Sequence, residues 1–173
     1  MAGILKVDKY QDFSGNDIMT SDGSGNITIN NTALKNTPAF AASVSSQSIS
    51  NDTDTKLTFD TVVWDTDSAF ASNTFTVPTG KGGKYMFSYG LTVANLDDAD
   101  YSEIILTVNG TRDEKTRFRS LTGVAQTTIM RASAILDLSA GDTVVLQGFH
   151  NYGSNRDTNA SQTSFEGFKL IGA

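Results

Sequence analysis

Cysteine is absent from the 173 residues, which excludes a disulfide framework, a thiolate metal site and a cysteine nucleophile. Histidine occurs once, at His150, so any Ser-His-Asp mechanism would have to use it. No Gly-x-Ser-x-Gly nucleophile elbow accompanies it. His150 stands beside Phe149 in a late apolar run and reads as a structural residue. Long apolar runs are also missing, since nothing approaches the roughly 18 apolar residues that a membrane-spanning helix needs. The first eleven residues lack an apolar h-region followed by a small-residue cleavage site. We therefore expect a soluble protein, not sent through a Sec-type pathway by its own sequence and without a membrane partner. A basic excess is lacking too: 13 Lys and Arg against 19 Asp and Glu give a formal net charge of -6. A phosphate-backbone binder gains affinity by releasing counterions to basic residues, so nucleic acid is not an expected partner.

Fifteen glycines against two prolines, with abundant Thr, Ser, Asn and Asp, describe many turns between short strands. Leu and Glu, which build long helices, are scarce. The length suits one domain with a core plus an appendage. In residues 1–37 the apolar residues are scattered between turn signals at Ser14-Gly15-Asn16-Asp17 and Asp22-Gly23-Ser24-Gly25-Asn26. Two short strand candidates occur there, Ile4 to Val7 and Asn26 to Asn30. Such a segment buries too little apolar surface to offset its own ordering entropy. It is expected to be an extended arm that is disordered or lies on another subunit or protein.

From Pro38 to the end of the chain, residues 38–173, the pattern becomes repeated short strands between polar turns, the spacing of a sandwich or jelly roll. The candidates are Ala39 to Ile49, Lys56 to Asp60, Val62 to Trp64, Thr74 to Val77, Gly83 to Ala94, Glu103 to Asn109, Thr116 to Arg119, Gln126 to Leu138, Thr143 to Tyr152 and Ser164 to Ile171. Strand side chains alternate between faces, so Tyr85, Phe87, Tyr89, Leu91 and Val93 form a buried face. In Ile104-Ile105-Leu106, and in Phe165, Phe168, Leu170 and Ile171, apolar residues fall on both faces. That pattern predicts either a covered central strand or a subunit interface. Tyr85, Phe87, Tyr89, Phe149, Phe165 and Phe168 are the candidate core and interface residues.

Three motifs bear on chemistry. Thr79-Gly80-Lys81-Gly82-Gly83-Lys84 looks like a nucleotide loop, but a P-loop needs four residues before Gly-Lys-Ser/Thr and a following helix. A strand follows here, so a turn is expected. Acidic clusters occur at Asn51 to Asp54, at Asp65 to Asp67, and at Asp97, Asp98 and Asp100 with Glu103. None fits the EF-hand, and the last is the best candidate for calcium, which takes six to eight oxygens. Arg112, Lys115, Arg117 and Arg119 form a basic cluster that could meet a carboxylate, a sulfate or an acidic sugar. Paired glycosidase carboxylates are neighbours only in space, and nothing singles out such a pair. No cofactor and no enzymatic activity are expected.

The order of the strand strings resembles the globular head of complement component 1q, a tumour-necrosis-factor-like jelly roll. The pieces are Pro38-Ala39-Phe40-Ala41-Ala42, Leu57 to Val63, Phe75-Thr76-Val77-Pro78, Gly83-Lys84-Tyr85-Met86-Phe87, Val108-Asn109-Gly110, Leu136 to Leu146 and Phe165-Glu166-Gly167-Phe168. The resemblance implies an all-β, about ten-stranded antiparallel jelly-roll sandwich that forms a homotrimer and binds other molecules at loops or its outer surface. No collagen-like stalk precedes the head in this sequence, and no calcium ligand carries over. The stretch Lys6 to Ile18 with Asn26 to Asn30 resembles the leader on tail-fibre and other structural proteins of marine tailed phages. Together these imply a non-enzymatic bacteriophage virion protein, assembled in a host cytoplasm and carried on the virion surface. Residues 1–37 would contact the major capsid protein or another virion protein. The knob would decorate or cement the capsid, or form a short tail fibre for host attachment with a host surface glycan as receptor. The competing expectation is a soluble lectin-like module for glycans or acidic ligands.

Overall fold

A computed structural model of the protein describes residues 7–30, 35–44, 46–96, 100–122, 126–158 and 162–171. The chain divides into two compact units, one of residues 1–36 with 171–173 and one of residues 37–170.

In the first unit, β1 (Lys9–Gln11), β2 (Asp17–Ser21) and β3 (Ile27–Ile29) form an antiparallel meander. Both hairpin loops carry the same string, Asp-x-Ser-Gly-Asn. In each, one carboxylate oxygen accepts two backbone N–H groups: Ser14 and Asn16 on Asp12 (both 2.9 Å), and Ser24 and Asn26 on Asp22 (2.7 and 3.1 Å). The second oxygen accepts the side-chain amide of Asn16 or Asn26 at 2.8 or 2.6 Å. Gly15 and Gly25 supply the positive φ angles (83° and 94°) that close these turns. Where an arm ordered only by a partner was expected, local hydrogen bonds therefore order residues 9–29 as a sheet. The candidate Asn26 to Asn30 matches β3. Of Ile4 to Val7, only Val7 lies among the described residues, and it is not in a strand.

The second unit is a two-sheet sandwich. Its elements are β4 (Ala39–Ser43), β5 (Ser48–Ile49), β6 (Thr55–Lys56), β7 (Thr61–Asp65), β8 (Phe70–Ala71), β9 (Thr74–Thr76), β10 (Gly83–Leu96), β11 (Tyr101–Val108), β12 (Thr111–Arg112), β13 (Phe118–Leu121), β14 (Gln126–Leu138), β15 (Thr143–His150), β16 (Arg156–Asp157) and β17 (Ser164–Lys169). One sheet has the order β14-β10-β17-β4-β7. The other runs β12-β11-β15-β9-β8, with β13 beside β11 and β6 beside β15. A small β16-β5 pair completes it. All the pairings are antiparallel, and the non-consecutive neighbours within each sheet are those of a jelly roll.

The predicted inward face of β10 is buried from Tyr85 to Val93. It meets an aromatic cluster in which Phe40 stacks on Phe70 (4.6 Å between ring centroids) and Phe75 (5.2 Å), with Phe165 edge-on at 5.0 Å. Burying each ring contributes about 2–3 kcal/mol, and each pair about 0.5–1.5 kcal/mol more. Gly167 belongs to this packing, since a Cβ there would lie 2.6 Å from the Phe87 ring and 2.9 Å from Phe40. His150 is buried, with Nε2 2.9 Å from the Ile49 carbonyl and Nδ1 accepting from the Tyr152 N–H at 3.3 Å. It is a structural residue.

Several candidate strands end where side chains capture the backbone. Thr58 and Phe59 donate their N–H groups to Gln47 Oε1 (2.8 Å) and Asn73 Oδ1 (2.7 Å), so the strand beginning at Thr55 stops at Lys56. Asp113 accepts from Lys115 N at 3.1 Å and caps a 3-10 turn over Glu114–Thr116, which moves the next strand start from Thr116 to Phe118. The glycine-rich string before β10 is a turn, with Lys81 N on the Pro78 carbonyl at 3.0 Å and positive φ at Gly80 and Gly83. The acidic clusters at 51–54 and 65–67 are structural in part. Asp65 accepts from Ala69 N (3.0 Å) and Phe70 N (2.8 Å), and Asp67 pairs with Lys81 at 3.5 Å.

Candidate interaction surfaces

The outward side of the β14-β10-β17-β4-β7 sheet follows from alternation: with Tyr85, Phe87 and Tyr89 inward, Met86, Ser88 and Gly90 point out. Register then aligns Ile135, Met86, Phe168 and Ala39 in one row and Ser133, Ser88, Glu166, Ala41 and Trp64 in the next. Arg131 and Ser164 flank Gly90 beyond them. Ile129, Ile135, Phe168 and Trp64 are exposed, so within one chain this face keeps an open apolar patch beside the polar row of Ser133, Ser88 and Glu166. Gly90 shapes its centre. The Arg131 guanidinium lies across it and donates to the Gln162 carbonyl, and a Cβ at position 90 would sit 1.7 Å from a guanidinium nitrogen.

Of the six candidate core and interface residues, Tyr85, Phe87, Tyr89 and Phe165 are interior to a single chain. Phe168 lies on the outward face at 37% exposure. Phe149 stacks on Tyr101 on the other sheet, with centroids 5.6 Å apart. The Tyr85 hydroxyl donates to the Lys81 carbonyl (2.5 Å), and burial together with the charge of Asp67 pushes it up to about 12. The Tyr89 hydroxyl donates to the Thr116 carbonyl (2.5 Å) and is likewise raised, chiefly by burial. Sequence reasoning missed Met86, Ile129, Ile135 and Trp64. For Ile129 and Ile135 the signal was available, because they share parity with Arg131, Ser133 and Asp137 in β14.

β11 is buried on both sides within one chain: Ile104 and Leu106 inward, Glu103, Ile105 and Thr107 outward. Of the two readings of its apolar run, the covered central strand holds. Part of the cover is an ionic network. The Glu103 side chain is 4% exposed and accepts from Arg112 Nη2 at 3.1 Å on one oxygen and from Arg119 on the other. Arg112 also binds Asp54 and, at 3.1 Å, Glu114, while Arg117 pairs with Glu114 at 2.9 Å. Hydrogen bonding to Asp54 above all, and to Glu114 and Glu103, raises the Arg112 pKa. Arg119 covers the Tyr101 ring at 4.2 Å, a cation–π contact.

This network corrects two expectations. With both Glu103 oxygens held by guanidinium groups, the Asp97-Asp98-Asp100-Glu103 calcium site loses its glutamate ligand. Asp97 and Asp98 lie outside the described residues, among which no group of three or more His, Asp or Glu could hold a metal. The cluster of Arg112, Lys115, Arg117 and Arg119 is not one free anion site either, because its arginines are paired with carboxylates. Among the described residues Lys115 makes no ion pair. It lines a groove of about 450 Å³ with Asp113, Thr116 and residues 133–138 along the free edge of β14.

On the amino-terminal meander, register places Tyr10, Met19 and Ile29 in one row, with Ile27 in the next, opposite Ser21. On the other face Lys9 bonds to Asp17 at 3.0 Å and Gln11 to Asp17 at 2.7 Å, and Ile18, which alternates with Met19, is exposed there. Phe13, at the first hairpin tip, is fully exposed.

The unit of residues 37–170 is an antiparallel jelly-roll sandwich with exposed apolar side chains on its β14-β10-β17-β4-β7 sheet. The C1q domain family matches residues 39–170, and the chain belongs to that family. It is similar in fold to the globular domain of zebrafish complement 1qA (TM-score 0.59, 18% identity, covering 77% of this chain and 97% of that one). It is also similar to Eiger TNF from S. frugiperda (0.57, 12%, 78% and 93%) and to murine APRIL (0.55, 13%, 76% and 98%). No curated protein matches it in sequence.

Proposed function

We propose that the protein is a non-enzymatic structural component of a tailed-phage virion: a homotrimeric jelly-roll knob whose amino-terminal unit attaches it to the particle. The observation that carries this reading is a chain that leaves apolar side chains exposed in each of its two units, available for contact. One such surface is the apolar outer face through Ile135, Met86 and Phe168, which packs against copies of the chain. The other is a small hairpin unit that holds Phe13 out in water on a turn fixed by five hydrogen bonds that involve Asp12 and Asn16. An exposed, rigidly presented aromatic is the kind of residue that dominates binding when it enters a partner's pocket.

Attachment through residues 1–37 to the major capsid protein or another virion protein decorates and cements the shell by mass action on the assembled state. The same knob on a short fibre meets a host surface through three sites acting together. The lectin-like alternative is weakened by the carboxylates that occupy Arg112 and Arg119, and its remaining candidate surface is the groove beside Lys115.

The test is native mass spectrometry of the full-length protein, followed by sedimentation with undecorated capsids. Wild type is expected as a trimer that co-sediments. Phe13→Ala, which removes no internal contact, should remain trimeric and lose at least about tenfold in capsid affinity, the scale of an anchoring aromatic. No binding by wild type, together with a glycan-array signal abolished by Lys115→Ala, would overturn the virion reading in favour of the lectin-like one.

A further inference from the structure

We infer that the amino-terminal meander is itself a self-association unit, in which the Tyr10-Met19-Ile29 faces of the three copies in a trimer pack against one another. The inference rests on the trimeric reading above and adds a second, independent contact to it. Its starting point is the apolar cross-strand row on one face of the sheet. Tyr10, Met19 and Ile29 form a cross-strand row, with Ile27 beyond it, and a groove of about 280 Å³ runs past Val7, Tyr10, Met19 and Ile27, with Lys9 and Thr20 also lining it. Lys9, Thr20 and Thr28 share the opposite face. Sheets bury an apolar face against a second layer, and within this unit's described residues the meander is a single layer.

Size decides what supplies that layer. A stable complex between independent molecules buries at least about 1,000 Å², whereas four side chains of this kind offer a few hundred, on the order of 100 Å² each. The patch is too small to hold a free partner. Copies tethered through their heads meet at an effective concentration of about millimolar, and at that concentration a small patch suffices. Charge agrees. The row that meets its own copies is uncharged, with Asp8 and Lys9, of opposite sign, at the groove, while Lys9 is paired with Asp17 and Asp12 and Asp22 are engaged in the loops. Self-packing leaves both Asp-x-Ser-Gly-Asn loops and Phe13 outside, free for the virion partner.

Because the chain has no cysteine, Met19→Cys in the full-length protein carries a unique thiol. Mild oxidation of the trimer is expected to give disulfide-linked pairs of chains at a rate independent of protein concentration, two chains of every three. In unmodified protein, backbone amides of residues 17–29 should be protected from exchange. Met19→Asp should lose that protection by at least tenfold while its native mass stays trimeric. Monomeric mass for wild type would sink the trimer reading and this inference with it. A wild-type trimer whose Met19→Cys variant does not cross-link, or cross-links only as concentration rises, overturns the inference alone. Protection of residues 17–29 that appears only after capsids are added assigns the face to the capsid and overturns it as well.

Discussion

Glu103 and Gly90 each act through what lies against them. Glu103 follows an acidic stretch and looks like one more solvated carboxylate, yet it is the buried centre of the Asp54-Arg112-Glu103-Arg119 network. Breaking a buried ion pair costs about 3–5 kcal/mol when an uncompensated charge is left inside. The two arginines keep part of their surface in water, with 29% and 46% of their side chains exposed, so the lower part of that range or below applies. Glu103→Gln is expected to destabilise the head by about 2 kcal/mol, read as a lower urea midpoint with an unchanged slope. An unchanged midpoint would mean that water serves the arginines as well as the carboxylate does. Gly90 leaves the space in which the Arg131 guanidinium lies, so it sets the position of a cation on the face assigned to trimer contact.

Among the elements, the amino-terminal meander is held by carboxylates rather than by a core. Asp12 is kept below the ordinary 3.8 by the Asn16 side chain first and by backbone N–H groups next. Asp22 is lowered mainly by Asn26, and Asp17 by Lys9 and then Gln11. A carboxyl lowered in the folded state contributes stability above its unfolded pKa and loses it as pH falls through the folded value. The meander is therefore expected to loosen on acidification as pH falls below the ordinary carboxylate range. Amide resonances of Ser14, Asn16, Ser24 and Asn26 would move to random-coil positions while the aromatic core of the head stays dispersed. Resonances that hold their positions throughout the acid titration would show that the carboxylates add no net stability. In the jelly roll Asp142 is likewise lowered by Asn109 and then by the Ser139 N–H, but its loop sits on a packed sandwich.

At the scale of the whole molecule, the two faces of β10 make opposite predictions. Tyr89→Asp places a charge inside the core, where an unpaired polar group costs several kcal/mol, about 4 or more for a charge. It is expected to give an unfolded chain by circular dichroism. Ile135→Asp and Phe168→Asp put their charges on a face that one chain leaves open. They should keep the strand signal and the thermal transition of a monomer, with native mass falling from trimer to monomer. Trimer mass retained by both would show that this sheet face is not where the subunits meet.

The sequence by itself determined what depends on near neighbours. The period-two alternation of Gly83 to Ala94 and the glycine turns followed from backbone geometry within a few residues, and the order of the strand strings carried the resemblance to complement 1q. The two Asp-x-Ser-Gly-Asn hairpins are equally local, and they were legible as turns although not as the joints of a sheet. Only the tertiary structure decided which apolar residues one chain covers for itself. Ile105 and Ile135 both face outward from apolar strands, yet Ile105 is buried in a central strand while Ile135 is exposed on an edge strand. It also decided that Arg112 would spend its guanidinium on Asp54, 58 residues away, rather than on a ligand. Alternation is written into the backbone of each strand, but cover and ion pairing depend on which distant strands lie side by side and in what register.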